Sequence, residues 1–258
     1  DIPAIDFDIA GVHTNRMPTC PYRGAGAPEA VFVIERLLDT AAREMGLSPA
    51  ELRRRNLVPS TAMPYQTPAL SIYDSGDFAA AMAEAEKLAD VAGFAARRAD
   101  SEARGLYRGL GYGNLLEACG AGIADRADLE CTAEGEIIAR IGTMSNGQSH
   151  ETVYAQMLAE KLGVAMDRIR LVQGDSNETP WGMGTGACRS MTIGGSALVN
   201  AGDDLIENGR KAASKLLEAA AQDIEYDNGA YRISGTDRMI TLTQIAADRS
   251  LTSSHYYA

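Results

Sequence analysis

The sequence is poor in the residues that build zinc modules and disulfide frameworks. Its 258 residues contain only four cysteines and three histidines. No Cys-x-x-Cys pair occurs and no histidine has a partner at the spacing of a zinc site, which excludes the common zinc-binding modules. A chain of this length does not depend on a disulfide framework, so we expect reduced thiols. The cysteines lie at positions 20, 119, 131 and 188.

Positive charge and long apolar runs are also scarce. Lys and Arg number 24 against 35 Asp and Glu, which gives a net charge of −11. Because an acidic chain repels the phosphate backbone of nucleic acids, nucleic acid is not an expected partner. Apolar runs such as residues 30–34 are too short to span a bilayer, and the first residues carry no basic segment of a signal peptide. We therefore expect no membrane association and a cytoplasmic location.

The pattern of apolar residues predicts an α+β fold with two subdomains, in which helices pack on mixed sheets. Residues 1–98 form the first, largely helical part and residues 99–258 the second, with the polar stretch 97–105 as a boundary or linker. Predicted helices cover residues 28–45, 49–56, 78–92, 150–162, 190–221 and 241–249. Predicted strands lie within residues 4–12, 105–120, 128–135, 136–143 and 167–174, and in a hairpin at 224–233 with an Asn-Gly turn.

Three glycine-containing loops carry residues that neither a plain core nor a plain turn needs. The first loop, residues 21–30, reads PYRGAGAPEA. Gly24 and Gly26 let the backbone come close to a ligand, and Arg23 is the side-chain type that best binds oxyanions and oxo groups. The alternative is an ordinary loop on which Arg23 is solvated.

The glutamine loop, residues 143–152, reads TMSNGQSHET and leads from a predicted strand into a helix. Gly147 makes the turn, and Gln148 stands just before the helix. A glutamine amide donates and accepts hydrogen bonds at once, which suits a heteroaromatic edge or a metal-bound oxo group. His150 has no second histidine at a metal-binding spacing, so we expect it in a capping or core role.

The third loop, residues 181–190, reads WGMGTGACRS and runs into a long predicted helix. A glycine-rich loop at a helix start points backbone N–H groups at an anion. The loop also fits a loose dinucleotide motif through Gly182, Gly184 and Ala187. That motif has to follow its strand immediately, whereas here the preceding strand ends well before Gly182.

Taken together, the three loops resemble the molybdenum-cofactor-binding large subunit of the xanthine dehydrogenase, aldehyde oxidase and carbon monoxide dehydrogenase family. The similar stretches are YRGAGAPEAVFVIERLLDTAAREMGLSPAELRRRNLVP, YDSGDF, GTMSNGQSHETVYAQMLAEKLGV and VQGDSNETPWGMGTGACRSMTIGGSAL. They cover nearly the whole chain in the same order as in the family.

This resemblance implies which residues meet the cofactor, molybdopterin or molybdopterin cytosine dinucleotide with molybdenum. The first loop would lie near the metal and its oxo ligand, the glutamine loop beside the ligands of the metal, and the third loop around the pterin or the dinucleotide phosphates. No side chain would bind molybdenum directly, because the pterin dithiolene holds it. The expected cofactor-binding residues are Arg23, Gly24, Gly147, Gln148, Ala187, Cys188, Arg189 and Ser190.

The resemblance also implies a reaction class, the oxidation of an aldehyde or an N-heterocycle with water as the oxygen source. Carbon monoxide oxidising members have cysteine where this chain has Gly24. Xanthine-oxidising members have phenylalanine, which stacks on a purine, where this chain has Ala25. An aldehyde or N-heterocycle therefore fits better than carbon monoxide or a purine.

Other parts of such an enzyme are expected outside this chain, which resembles a central fragment of the large subunit. The general-base glutamate of the family follows the matched region, so we expect no catalytic residue here. The [2Fe–2S] clusters and FAD would be carried by other domains or subunits of an oligomeric enzyme. Some members of the family are exported to the periplasm as whole complexes. Two rival hypotheses are a non-catalytic module that needs partner segments to close its pocket, and a dinucleotide-binding domain.

Overall fold

A computed structural model of the chain divides into two units, residues 1–116 and 117–258, which are described separately. The predicted subdomain boundary after residue 98 stays a prediction. No helix in the described part of the chain has the length and apolarity that crossing a bilayer requires. The structure describes residues 6, 8–18, 20, 22–117, 119–120, 124–179 and 181–258.

The first unit is built mainly from helices whose starts are encoded locally. Pro28 lies in the first turn of α1, where its fixed φ is favourable. Ser48 caps α2 by accepting a hydrogen bond from the Glu51 N–H at 3.1 Å, and Asp77 caps α3 in the same way. The elements are α1 (Ala27–Glu44), α2 (Pro49–Asn56), β1 (Tyr65–Gln66), β2 (Ile72–Tyr73), α3 (Phe78–Leu88) and α4 (Phe94–Ala103).

Most of the polar stretch 97–105, which was predicted as a boundary or linker, lies within α4 and is helical. Its charges pair along the helix surface: Arg98 lies 2.9 Å from Glu102, and Arg104 lies 2.7 Å from Asp100. Oppositely charged residues four positions apart support a solvated helix, so a run of charge was mistaken for a break in structure.

The second unit has a four-stranded mixed sheet in the order β5-β4-β3-β9 and a three-stranded antiparallel sheet in the order β6-β7-β8. β4 and β5 are parallel and are joined through α5, whereas β3 is antiparallel to both β4 and β9. The elements are β3 (Asp125–Cys131), β4 (Ile137–Ile141), α5 (His150–Leu162), β5 (Ile169–Val172), a π-helical turn (Ser190–Gly195), α6 (Ser196–Leu216), β6 (Ile224–Asp227), β7 (Ala230–Ile233), β8 (Met239–Thr241), α7 (Leu242–Asp248) and β9 (Leu251–Tyr257).

The core of the second unit lies between the mixed sheet and the helices α5 and α6. Residues of β3 alternate between buried and half-buried, so its inward side chains, such as Leu129, meet the helices. α6 presents a buried stripe of small and branched residues, including Leu198, Ala201 and Leu205. The glutamine loop follows the end of β4, and the third loop leads through the π-helical turn into α6, so both loops adjoin elements of this core.

The strand predicted within residues 105–120 is wrong, and the strand predicted at 4–12 lies partly outside the described residues. None of residues 105–117 and 119–120 is in a strand. Five glycines between positions 105 and 120 explain this result, because glycine pays a high entropic cost in a strand and offers no side chain to pack. In the predicted strand at 4–12, residues 6 and 8–12 lie outside any strand, and the remaining positions are not among those described.

The four cysteines should differ sharply in reactivity. Cys131 is buried on β3, and burial raises the pKa of its thiol to about 11. Cys20, Cys119 and Cys188 are exposed. Since the thiolate is the nucleophile, we expect iodoacetamide at pH 8 to alkylate these three in the native chain and to spare Cys131 until urea unfolds it. Peptide mass spectrometry measures this, and equally rapid labelling of Cys131 would contradict the assigned burial.

Candidate functional site

The glutamine loop and the third loop are hydrogen-bonded to each other in the second unit. The Thr185 hydroxyl donates to the Met144 carbonyl at 2.5 Å and accepts from the Met144 N–H at 3.1 Å. The Gly184 N–H donates to the Gly142 carbonyl, just before the glutamine loop, at 3.2 Å. Two of the three loops singled out in the sequence therefore form one continuous surface.

Glycine makes this close approach possible. The backbones of Gly142 and Gly182 touch, and a methyl group on either would clash with the backbone of the other. Gly147, Gly184 and Gly186 differ, since a methyl group there would meet nothing within 4 Å. The loops are thus tight where they join and open where their backbone faces outward.

The loops hold non-glycine residues in left-handed backbone conformations. Ser149 has φ of 62°, Ala187 of 50° and Cys188 of 53°, and Ala25 in the first loop has 46°. In the part of the chain that the structure describes, eight non-glycine residues have positive φ, so half of them lie in or beside the three loops. Each costs about 1 kcal/mol, and such strain concentrates at binding and switching sites.

Arg189, which the resemblance implies as a cofactor-binding residue, has a buried side chain. Its side chain is 3% exposed and meets the fully buried Asp125, with 3.0 Å between Nη1 and Oδ2. Nη2 donates to Oδ1 at 3.2 Å and to the Gly184 carbonyl at 2.9 Å. The contact to Oδ2 is an ion pair without hydrogen-bond geometry. Burial raises the pKa of Asp125, and the charge of Arg189 opposes that rise.

Tyr154 fixes the end of the third loop. Its buried hydroxyl donates to the Ser190 carbonyl at 2.7 Å and lies 3.5 Å from the Thr143 hydroxyl. Ser190 begins the π-helical turn that precedes α6, and its own hydroxyl donates to Thr185 at 3.3 Å. π-helical turns are uncommon and are often found at functional sites. Ala187 and Cys188 lie exposed on the outer side of the same loop.

Gln148 is exposed, and its side-chain oxygen accepts a hydrogen bond from the Asn146 N–H within the glutamine loop. Gly147 beside it has φ of 99°, a conformation that only glycine adopts easily. His150 is buried at the first position of α5, 3.2 Å from the Gln173 amide oxygen and packed on the Tyr154 ring. Of the two predicted roles of His150, capping or core, the structure shows the core role.

The first loop belongs to the first unit. It forms a tight turn in which the Ala25 N–H donates to the Tyr22 carbonyl at 2.7 Å. Gly24 has φ of 100° and lies against the Pro28 ring, so a side chain there would be strained and crowded. Arg23 is exposed. The turn thus presents an arginine on a rigid, glycine-dependent backbone.

Asp125 and Tyr154 were not predicted from the sequence. Asp125 lies on the same buried face of β3 as Ala127, Leu129 and Cys131. An acidic residue in a row of apolar residues was therefore the feature of the sequence that could have indicated a buried charge. Tyr154 follows His150 by one helical turn on the buried face of α5, which pattern reading assigns to the core. Within the described ranges, no three His, Cys, Asp or Glu side chains come together as a metal site would require.

The joined glutamine and third loops mark a candidate ligand-binding surface of this α+β unit, and comparison with known proteins gives the family of the chain. Two family models, each described as a molybdopterin cofactor-binding domain, match residues 84–258 and 1–57. The chain therefore belongs to the molybdopterin cofactor-binding domain family.

Individual relatives agree with this family. The gamma subunit of the 6-hydroxypseudooxynicotine dehydrogenase complex of Paenarthrobacter nicotinovorans is 36% identical, over 96% of this chain and 32% of the relative. The carbon monoxide dehydrogenase large chain of Hydrogenophaga pseudoflava is 31% identical, over 95% and 33%. Quinoline 2-oxidoreductase from Pseudomonas putida 86 is similar in structure, with a TM-score of 0.77, 28% identity and coverage of 92% and 33%. The chain spans about a third of the length of these relatives.

Proposed function

We propose that this chain holds the molybdopterin of a molybdenum-dependent hydroxylase, with the glutamine loop and the third loop as one binding surface. The observation that carries the proposal is the pair of hydrogen bonds between Thr185 and Met144, which joins the two loops. The family match supports the cofactor class.

The residues present fit a pterin with a phosphate group. Open space at Gly186 would let a flat ligand approach the main chain, and the Ser190 hydroxyl, which donates to Thr185, keeps oxygen lone pairs that can accept from a pterin N–H. The third loop ends at a helical start, where backbone N–H groups favour an anion despite the net negative charge of the chain. The bound cofactor would supply a two-electron redox centre with water as the oxygen source.

The chain's own residues would bind and orient this group. In the proposal, Ala187, Cys188 and Ser190 contact the pterin or the dinucleotide phosphates through the exposed side of the third loop. Gln148 would offer its amide to the ligands of the metal. Arg23 and Gly24, in the first unit, stay predicted cofactor-binding residues.

For the substrate we propose an aldehyde or an N-heterocycle. Quinoline, the compound after which one structural relative is named, is an N-heterocycle. Gly24 and Ala25 leave the first loop without the cysteine of carbon monoxide oxidising members and without the stacking ring of purine-oxidising members. Iron–sulfur and flavin domains or subunits would complete an oligomeric enzyme, in the cytoplasm or exported as a whole.

The dinucleotide hypothesis has less support from the structure. β5 ends at Val172, and a long segment separates it from Gly182, so the glycines do not follow their strand directly as a dinucleotide fingerprint requires. α6 starts only after the π-helical turn, at Ser196. The absence of saturable NADH fluorescence enhancement would remove this alternative.

Metal and pterin analysis tests the proposed function. The protein, purified with its complex from a host that makes the molybdenum cofactor, should contain about one molybdenum and one pterin per chain. A loaded complex together with an empty isolated chain would favour a module that binds only when partner segments close the pocket. A complex with neither molybdenum nor pterin would refute the enzyme hypothesis.

A further inference from the structure

We propose that Arg189 is a positioning residue, which holds the third loop in its binding conformation before any cofactor arrives. This inference rests on the proposed function, because it assigns a role within the same site. It differs from the expectation drawn from the resemblance, in which Arg189 contacts the cofactor itself. A cofactor contact requires a guanidinium that is exposed at the binding surface, whereas a positioning role requires one that faces the protein interior.

The guanidinium faces the protein interior. Asp125 is fully buried, and only 3% of the Arg189 side chain is exposed, so the pair offers almost no surface to a ligand. Arg is the residue whose planar fork can bind a carboxylate and a carbonyl at once, and here it binds Asp125 and Gly184. This geometry indicates that the side chain stabilises the third loop itself.

This contact joins parts of the chain that are far apart in sequence. Asp125 is the first residue of β3, whose inward side chains pack in the core, so its carboxylate is a rigid anchor. Through Arg189 the anchor also holds the Gly184 carbonyl, which closes the segment 184–189 into a loop. Inside that segment lie Ala187 and Cys188, whose left-handed conformations need support from their surroundings.

Tyr154 provides an independent second support. Its hydroxyl holds the Ser190 carbonyl at 2.7 Å, one residue beyond Arg189. The end of the loop is therefore fixed from β3 by an ion pair and from α5 by a neutral hydrogen bond. A buried ion pair contributes little net stability, but removal of one partner leaves the other charge unpaired and releases what it held.

A double-mutant cycle between Arg189→Lys and Asp125→Asn tests the proposal. Lysine keeps the charge but loses the fork, and asparagine removes the charge that Arg189 pairs with. In the cofactor-free chain we expect amide hydrogen exchange in peptides covering 184–190 to quicken about tenfold in each single variant. The double variant should be no faster than either, because both changes break one contact. The control is Arg126→Lys, at a half-exposed ion pair on the same strand, which should leave this exchange unchanged.

Pterin content separates positioning from direct contact. We expect both single variants to lose pterin to a similar extent, about tenfold, although Asp125 is too buried to touch a ligand. Full pterin content in Asp125→Asn together with loss in Arg189→Lys would overturn the proposal, since the guanidinium would then contact the cofactor itself. Additive effects in the cycle would also overturn it.

Two further outcomes are distinguishable. If the wild-type chain and its complex carry no pterin, the proposed function fails, while the exchange rates in the cofactor-free chain still decide whether Arg189 orders the loop. If the Asp125→Asn variants lose their native circular dichroism, Asp125→Glu replaces Asp125→Asn, because glutamate keeps the charge and moves the carboxylate by one methylene group. It should quicken exchange at 184–190 about threefold, and unchanged exchange would count against a loop held by the contact between Arg189 and Asp125.

Discussion

Replacement of Arg53 by methionine is expected to lower the free energy of unfolding by about 3–5 kcal/mol. Arg53 is 1% exposed and joins α2 to α1: its Nε lies 2.7 Å from Glu35, and its Nη2 lies 2.9 Å from Asp39. Its guanidinium also packs over the Tyr112 ring at 5.0 Å. Methionine fills much of the volume but leaves the Glu35 carboxylate without its cation, and leaves Asp39 with only the more distant Arg36, 4.0 Å away. Urea unfolding followed by circular dichroism measures the loss.

The same helix supplies a matched control. Arg55 lies on α2 and pairs with Glu51 at 2.8 Å, but both side chains are exposed. Arg55→Met should cost less than about 1 kcal/mol, because exposed ion pairs one helical turn apart contribute little. Equal losses in the two variants would show that burial of Arg53 is not what makes its pairs important.

Substitution of Gly142 by alanine is expected to separate the glutamine loop from the third loop. The new methyl group would occupy the place of the Gly182 backbone, so the hydrogen bond between Gly184 and Gly142 would have to break or bend. Overpacking of this kind costs about 1–3 kcal/mol. We expect a lower urea midpoint, a change in the fluorescence of Trp181, the single tryptophan of the chain, and loss of bound pterin.

Gly186→Ala is the control for this prediction. It lies in the same third loop, has no left-handed backbone conformation, and has open space where the methyl group would go. We expect wild-type stability and Trp181 fluorescence. Gly182→Ala, the reciprocal change, should reproduce Gly142→Ala. A Gly142→Ala variant that behaves like Gly186→Ala would contradict the contact between the loops.

The sequence was informative about the fold wherever the local signal and the tertiary packing agree. The Ser48 cap, the Asn-Gly hairpin turn at residues 228–229 and the strands β3 and β4 are encoded by a few neighbouring residues. β9 was not predicted. Its sequence LTSSHYY has no apolar alternation, and it becomes a strand by pairing with β3 along its whole length. Ser253 on it is buried because its hydroxyl donates to the Ala201 carbonyl at 2.6 Å.

The candidate site was predicted as three separate loops, and the resemblance assigned residues to each. The contacts that join the glutamine loop to the third loop depend on pairing across about forty residues, which spacing alone does not show. The inward position of Arg189 could not be inferred either, since its partner Asp125 is 64 residues away. Long-range pairing of buried charges is decided by the packed fold rather than by local pattern.

Amide hydrogen exchange of the protein with and without bound molybdopterin tests the central claim most directly. We expect the cofactor to slow exchange in peptides covering residues 143–149 and 181–190 together. The hairpin at 224–233 lies outside both loops and should exchange at the same rate in both states. Protection of the hairpin or of other segments, with both loops unchanged, would contradict a cofactor site formed by the glutamine loop and the third loop.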